Sequence, residues 1–406
     1  MKTINIKHPK DLARLRRIAL TAQGLLQTQP FGRGLAGTRK AINHLGYVQL
    51  DTVSVVERAH HHVLYARVPN FKPEMLDQLL ISQDIFEYWA HAAAFLPIDE
   101  FRFTLPYKQA IKSGQTHWYK NQDRKLMNEL LARIRSDGPL RSRDLESNTS
   151  NRAGWWDWKP AKKALEQLYM EGDLMVCDRQ GFQKTYDLTE RVLPPKVNTT
   201  MPEIEEFAEH VINKQIRCHG FATLKGLTYN ESRNTKLRKA VNTLINEYLL
   251  AGKLEQIQLN NGEAFVIEAE SFDRRMPRVA NRMQILSPFD NSVIQRERLK
   301  TVFDYDYKIE CYTPEAKRQY GYFCLPLLYR DQFIGRMDCK AHRKIKQLEI
   351  KSLHFEPHSY HQDNVISAFI AAIKPFMQFQ QCNSVSLTKV QPQHLAQGIN
   401  EALKTL

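Results

Sequence analysis

Apolar side chains return every three to four residues from Asp11 to Leu26, at Leu12, Leu15, Ile18, Ala19, Ala22, Leu25 and Leu26, with Arg14, Arg16 and Arg17 between them. That period puts them on one face of a helix whose other face is basic. A glycine-rich turn, Gly32 to Gly37, leads to Thr38, which can cap a second helix ending at Gly46. The pattern then changes. Tyr47 to Val53 reads as a strand, and Ser54 to Arg67 as a further helix.

Between Asp123 and Leu193 the order is clearest. A helix through Leu126, Leu130, Leu131 and Ile134 stops at Asp137-Gly138. Ser142 caps a short helix with Asp144 and Leu145, and a third, with Pro160 in its first turn, runs to Gly172. Two strands follow, Leu174 to Asp178 and Phe182 to Leu188, joined by Arg179, Gln180 and Gly181. Three helices and a hairpin predict a winged helix. A degenerate copy comes next: helices over Glu203 to Cys218, Thr223 to Gly226 and Thr235 to Ala251, then strands Leu254 to Leu259 and Ala264 to Ala269 across Asn260-Asn261-Gly262. The Tyr47 region, with the strand expected at Ile85 to Phe95, reads as a third, more altered copy.

After Phe272 the chain is written in short strands, at Ile285-Leu286, Phe303 to Tyr312, Tyr320 to Leu328, Phe333 to Lys340 and Gln347 to Leu353, as in a small barrel or curved sheet. Helices at Asp363 to Phe376 and Pro392 to Leu403 close it. The expected fold is therefore α+β, tandem winged-helix motifs followed by a C-terminal β-barrel-like domain. Its units are 1–122 (with the catalytic candidates), 123–194, 195–272 and 273–406.

Charge adds a partner to this frame. Lys and Arg number 58 against 44 Asp and Glu, a net charge of +14, which draws polyanions and makes nucleic acid the first ligand to test. The six cysteines fall at neither zinc-site nor disulfide spacings, as expected of free thiols in a reducing compartment. With no long apolar run, the reading is a cytoplasmic, nucleoid-associated protein without a membrane partner.

In Val48-Gln49-Leu50-Asp51 the strand period puts Gln49 and Asp51 on one face, about 6 to 7 Å apart. A water fits between an amide and a carboxylate at that separation. The same spacing also suits an edge strand that shows two polar residues to solvent. The chemistry that would use the pair is cleavage of a nucleoside N-glycosidic bond, where a carboxylate stabilises the oxocarbenium-like sugar and accepts a proton from attacking water. An N7-alkylated guanine is already cationic, so it leaves without a general acid.

Other candidates surround this pair. His60, His61 and His62 point about 100° apart on a helix, so they do not converge on one metal ion, and no metal or other cofactor is expected. Arg58 and His60 are read as facing DNA. Trp155, Lys159 and Lys163 on the expected recognition helix suit phosphates and unstacked bases, Arg179 at the wing tip suits a phosphate or the minor groove, and Trp89 and His91 belong in the cleft of Gln49. Asp304, Asp306 and Glu310 alternate with Tyr305, Tyr307 and Ile309. They read as the wet face of a strand, a magnesium-nuclease site being the other possibility.

Several runs taken together carry a resemblance: Leu45 to His60, Tyr88-Trp89-Ala90-His91, Leu286 to Asn291, Lys317 to Tyr322 and Gly335-Arg336-Met337-Asp338. In these the chain resembles the AlkZ/YcaQ family of winged-helix DNA glycosylases, whose catalytic motif is Gln, an aliphatic residue, then Gln or Asp. Here Gln49-Leu50-Asp51 is similar to the YcaQ branch. The resemblance implies a monofunctional DNA glycosylase, acting as a monomer on double-stranded DNA, that excises N7-alkylated purines and unhooks interstrand crosslinks. Asp51 would activate water and Gln49 would orient it. The competing expectation is a winged-helix transcription regulator without catalysis.

Overall fold

The structure is a computed structural model that describes residues 2–145, 158–231, 234–357 and 361–406. Strand β1 (Thr3–Ile6) precedes the helix Pro9–Ala22, and the helix Gly34–Leu45 leads into β2 (Val48–Gln49). Helices Ala59–Tyr65 and Glu74–Ile81 come before the hairpin of β3 (Ile85–Trp89) and β4 (Ala93–Pro97). The next unit holds the helix Arg124–Asp137, β5 (Leu140–Arg141), the helix Trp158–Glu171, β6 (Leu174–Gln180) and β7 (Gln183–Leu188). The third has helices Ile204–His219 and Thr235–Leu250 with β8 (Phe221–Ala222), β9 (Leu254–Leu259) and β10 (Ala264–Glu268).

The C-terminal region comprises β11 (Met283–Ile285), β12 (Cys324–Tyr329), β13 (Gln332–His342), β14 (Gln347–Phe355), β15 (Ser384–Leu387) and β16 (Val390–Gln391). They form a half-barrel sheet in the order β11-β12-β13-β14-β15, with β16 also on β14. The helix Gln362–Phe379 covers it through Val365, Phe369, Ile373 and Phe376. Three smaller sheets have the orders β2-β4-β3, β5-β7-β6 and β1-β9-β10-β8. The class is α+β, as the alternating patterns require.

The cores cross the units. One apolar cluster joins Ile42, Val48 and Phe86 of the first unit to Leu165, Met175 and Val176 of the second. Parallel pairing of β1 with β9, Thr3 opposite Gln256, ties the first residues of the chain to the third unit. The arginines of the first helix follow the same logic: Arg16 Nε donates to the Val302 carbonyl (2.8 Å) and Arg17 pairs with Asp331 (2.8 Å). Part of the basic face expected there is therefore an internal clamp.

Three departures from the sequence reading have local causes. The strand expected over Tyr47 to Val53 is only β2. Leu50 still donates to the Ala93 carbonyl (2.8 Å), but the Asp51 carboxylate then accepts from the Val53 backbone N–H (3.2 Å) and turns the chain out of the ladder. The helix expected from Ser54 begins at Ala59, because the preceding segment is bound elsewhere: Ala341 donates to the Val55 carbonyl and the Glu57 N–H to Gln380. Residues 304–312, expected as a strand, have no ladder partner. Their alternation records burial, since Tyr305 and Tyr307 are buried while Asp304 and Asp306 are exposed.

Candidate active site

Gln49 is held by the ladder of a short, buried strand. In the pairing of β2 with β4, Val48 faces Phe95 and Gln49 faces Ala94. The residue is only 9% exposed, and His91, just past β3, donates from Nε2 to Gln49 Oε1 at 3.0 Å. A carbonyl oxygen only accepts, so this bond fixes the proton on Nε2 of His91 and turns the amide NH₂ of Gln49 away from the ring. The imidazole is itself wedged between two phenols, with centroids 5.3 Å from Tyr47 and 5.4 Å from Tyr229, the latter supplied by the third unit.

Asp51 sits two residues on, half-buried, where the chain leaves the sheet. Burial raises its carboxyl above the ordinary 3.8, and the N–H groups of Thr52 and Val53 pull it part of the way back. The Asp51 carboxylate is among the charges that push up the Cys311 thiol and the Tyr312 phenol of the C-terminal region, after burial in both. The pair is thus a rigid amide and a more basic carboxylate at the junction of the first unit with the half-barrel.

The run Leu286 to Asn291 fastens that junction. Asn291 Nδ2 donates to the carbonyl of Tyr47 (3.1 Å), one residue before β2. Next to it Arg67 and Asp290, both fully buried, pair through two bonds of 2.7 and 2.8 Å, and Arg67 also donates to the carbonyls of Gln23 and Val63. His62 reaches the carbonyl of Ile285 at 2.8 Å. The backbone that presents Gln49 is therefore anchored from behind by side chains almost 250 residues away in sequence.

The remaining candidates separate. Trp89 is half-buried edge-on to Trp118, 4.7 Å between centroids. Arg179 does not extend from a wing tip: its guanidinium and Lys184 grip the fully buried Glu87 of β3 at 2.7 and 2.5 Å. Arg58 lies 4.0 Å over the ring of Phe182 in the same β6–β7 turn, so both arginines dock the hairpin on the first unit. His60 is buried edge-on to Phe95 and lines a cavity of about 420 Å³ with Arg58, His61 and Arg179. The three histidines diverge, His61 to Glu57 (2.8 Å) and His62 to Ile285. Lys163 is exposed, 5.8 Å from the Tyr119 ring. Trp155 falls outside the described residues; Lys159 lies in the helix Trp158–Glu171, its side chain outside them too.

The carboxylate row is taken up by structure. Asp306 pairs with Lys300 (2.7 Å), and Glu310 accepts from three successive backbone N–H groups, those of Gln319, Tyr320 and Gly321, at 2.8 to 3.1 Å. Tyr229, Asn291, Cys311 and Tyr312 were not legible as site residues. Only the Leu286 to Asn291 run carried a signal, through its place in the resemblance.

A family model described as "DNA glycosylase AlkZ-like" matches residues 42–378, most of the chain. The class is therefore that of the DNA glycosylases, enzymes of DNA repair that hydrolyse N-glycosyl bonds, and the regulator without catalysis is set aside. The chain belongs to the AlkZ-like DNA glycosylase family. Among solved structures it is similar to the Streptomyces sahachiroi DNA glycosylase AlkZ, with a TM-score of 0.63 over 94% of this chain and 100% of that one, at 14% identity. That likeness is one of fold. Among the described residues no helix is long and apolar enough to cross a membrane.

Proposed function

We propose that this chain is a monofunctional glycosylase for N7-alkylated purines in double-stranded DNA, crosslinked guanines included, with Gln49 and Asp51 as its catalytic pair. The observation that carries the reading is the bond from His91 to Gln49 beside a half-buried carboxylate. An amide held in one orientation positions a water. A carboxylate raised by burial is a better base, worth about 10² to 10⁴-fold in rate.

In the step that follows, the bond from C1′ to the purine nitrogen breaks and the base departs neutral, because alkylation has already made it cationic. Negative Asp51 stabilises the positive sugar and takes a proton as the water oxygen bonds to C1′. Gln49 holds the water without titrating, and His91 positions Gln49. We read the helix and hairpin units as winged helices that grip phosphates and the chain as a monomer acting on nucleoid DNA.

The test is incubation in EDTA with duplex DNA carrying one N7-methylguanine, followed by alkali to cut at abasic sites. Wild type should excise the base, and Asp51→Asn should lose at least roughly tenfold while still binding. Equal excision by Asp51→Asn would remove that residue from the chemistry. A duplex with two N7-linked guanines, resolved on a denaturing gel, tests unhooking.

A further inference from the structure

Separate stretches of the chain meet on one imidazole. His91 lies in the turn between β3 and β4, Tyr47 precedes β2, and Tyr229 comes from the third unit, where the turn Tyr229–Glu231 follows the short helix Leu224–Leu227. Tyr47 meets the imidazole edge-on at 82° between planes and Tyr229 at 64°, with centroids 5.3 and 5.4 Å away. Those angles and separations are the favoured edge-to-face geometry of aromatic pairs. Each phenol therefore restrains the tilt of the ring whose Nε2 donates to Gln49 Oε1 at 3.0 Å.

The two supports differ in kind. Tyr47 is 3% exposed, belongs to the apolar core of the first two units, and has its carbonyl held by Asn291. It would be ordered with or without His91. Tyr229 is half-buried, and among the described residues it packs into none of the apolar clusters and its hydroxyl has no hydrogen-bond partner. The ring contact that holds Tyr229 is the one with His91. Core packing does not account for this side chain, whereas support of the imidazole does.

We propose that Tyr229 is a positioning residue for excision: the third unit supplies its ring to hold His91 in the orientation that fixes the Gln49 amide. This rests on the glycosylase reading above. Tyr229 takes no part in bond breaking and acts through His91 and Gln49. Without the ring the imidazole tilts, its bond to Gln49 Oε1 loosens, and the amide NH₂ no longer faces one water position. The site is then complete only with the third unit docked on the first. An aromatic pair is worth up to about one order of magnitude in the population of the held orientation, and so in rate.

The experiment uses the full chain as wild type, Tyr229→Phe and Tyr229→Leu, with His91→Ala alone and combined with Tyr229→Leu. Single-turnover excision of N7-methylguanine from a duplex is measured at saturating protein, together with duplex affinity. Tyr229→Phe keeps the ring and should match wild type. Tyr229→Leu should lose roughly tenfold in rate at unchanged affinity, and on the His91→Ala background it should lose nothing further. No loss in Tyr229→Leu, an equal loss in Tyr229→Phe, or an additive loss in the double variant overturns the proposal. Tyr229→Met repeats the test should the leucine variant fail to fold. A second readout needs no catalysis: in protein labelled with ¹⁵N-histidine, the Nε2–H of His91, assigned by its absence in His91→Ala, should exchange with water roughly tenfold faster in Tyr229→Leu than in wild type or Tyr229→Phe. Equal exchange in all three overturns the proposal. A proton protected in wild type and released in Tyr229→Leu, in a chain that never excises, overturns the glycosylase reading and leaves the support of His91 standing.

Discussion

Two titratable side chains carry opposite consequences of burial. For Asp51, burial raises the carboxyl above 3.8, so the ionised form that the proposed chemistry uses is lost as the pH falls through a value above the ordinary one. The pH profile of kcat/KM for excision should have an acid limb displaced upward from 3.8, and Asp51→Asn should leave low activity without that limb. Lys108 is the converse case. Its Nζ is 3.8 Å from the ring centroid of Phe101 and 4.6 Å from that of Tyr88, and desolvation lowers it from 10.5 to about 7. Among the described residues no carboxylate forms an ion pair with it.

The sign of the Lys108 effect follows from proton counting. Between pH 7 and 10.5 the unfolded chain holds a proton on this lysine that the folded chain has released, so its contribution to stability improves as pH rises through that window. Below pH 7 the buried charge is fully unfavourable, offset in part by the aromatic rings. Lys108→Met should therefore raise stability by about 1–4 kcal/mol at pH 6. In urea titrations the gain should shrink toward pH 10; a gain independent of pH would mean that packing, not charge, is responsible.

At the scale of elements, Glu100 links two units. It follows β4 and accepts from His210 Nε2 and Lys214 Nζ on the helix Ile204–His219, each at 2.8 Å. Although burial pushes its carboxyl up, those two partners bring it down to about 2. A carboxylate depressed in the folded state contributes stability above its unfolded value of 4.5, and that contribution is lost as pH falls from 4.5 toward 2. Glu100→Gln should cost about 3–5 kcal/mol at pH 7 by stranding Lys214. The deficit should narrow in acid, as followed by thermal unfolding.

This element scale also shows what the sequence could tell. Helices such as Arg124–Asp137 and Thr235–Leu250 were legible from their apolar periodicity, and the structure adds an N-cap to each, Asp123 and Asn234, whose side chains accept from the N–H groups of Leu126 and Leu237. The hairpin β6–β7 announced itself through alternation and Gly181, at φ +64°. The shortening of the strand at β2 was not legible, because it depends on Asp51 bonding its own backbone rather than on any periodicity. Arg179 and Arg58 looked like DNA contacts, since nothing local reveals that Glu87 and Phe182 meet them across 92 and 124 positions. For the site, Gln49 and Asp51 were readable as a motif and Asn291 only as the end of the run Leu286 to Asn291, whereas Tyr229 is brought to His91 by three-dimensional packing alone.

At the scale of the whole molecule, the proposed function separates binding from chemistry, and that separation can be measured. Of its basic groups, Arg16, Arg17, Arg67 and Arg179 are committed to internal partners, so net charge overstates what is offered to DNA. Lys236, Arg238 and Lys239 are different: they are exposed in the first turns of the helix Thr235–Leu250, where the third unit would meet phosphates. Each phosphate neutralised on B-DNA adds about 0.9 to the steepness with which affinity falls against salt on logarithmic axes. Replacing all three by glutamate should therefore weaken duplex binding and flatten that slope by up to about 3. Single-turnover excision at saturating protein should stay within about threefold of wild type, because none of the three belongs to the Gln49–Asp51 site. Asp51→Asn should do the reverse, keeping the slope and losing the rate. An unchanged slope in the triple variant would place the DNA on another face of the molecule, and a lost rate at saturation would mean that the grip of the third unit on DNA also reaches Gln49, through Tyr229 and His91.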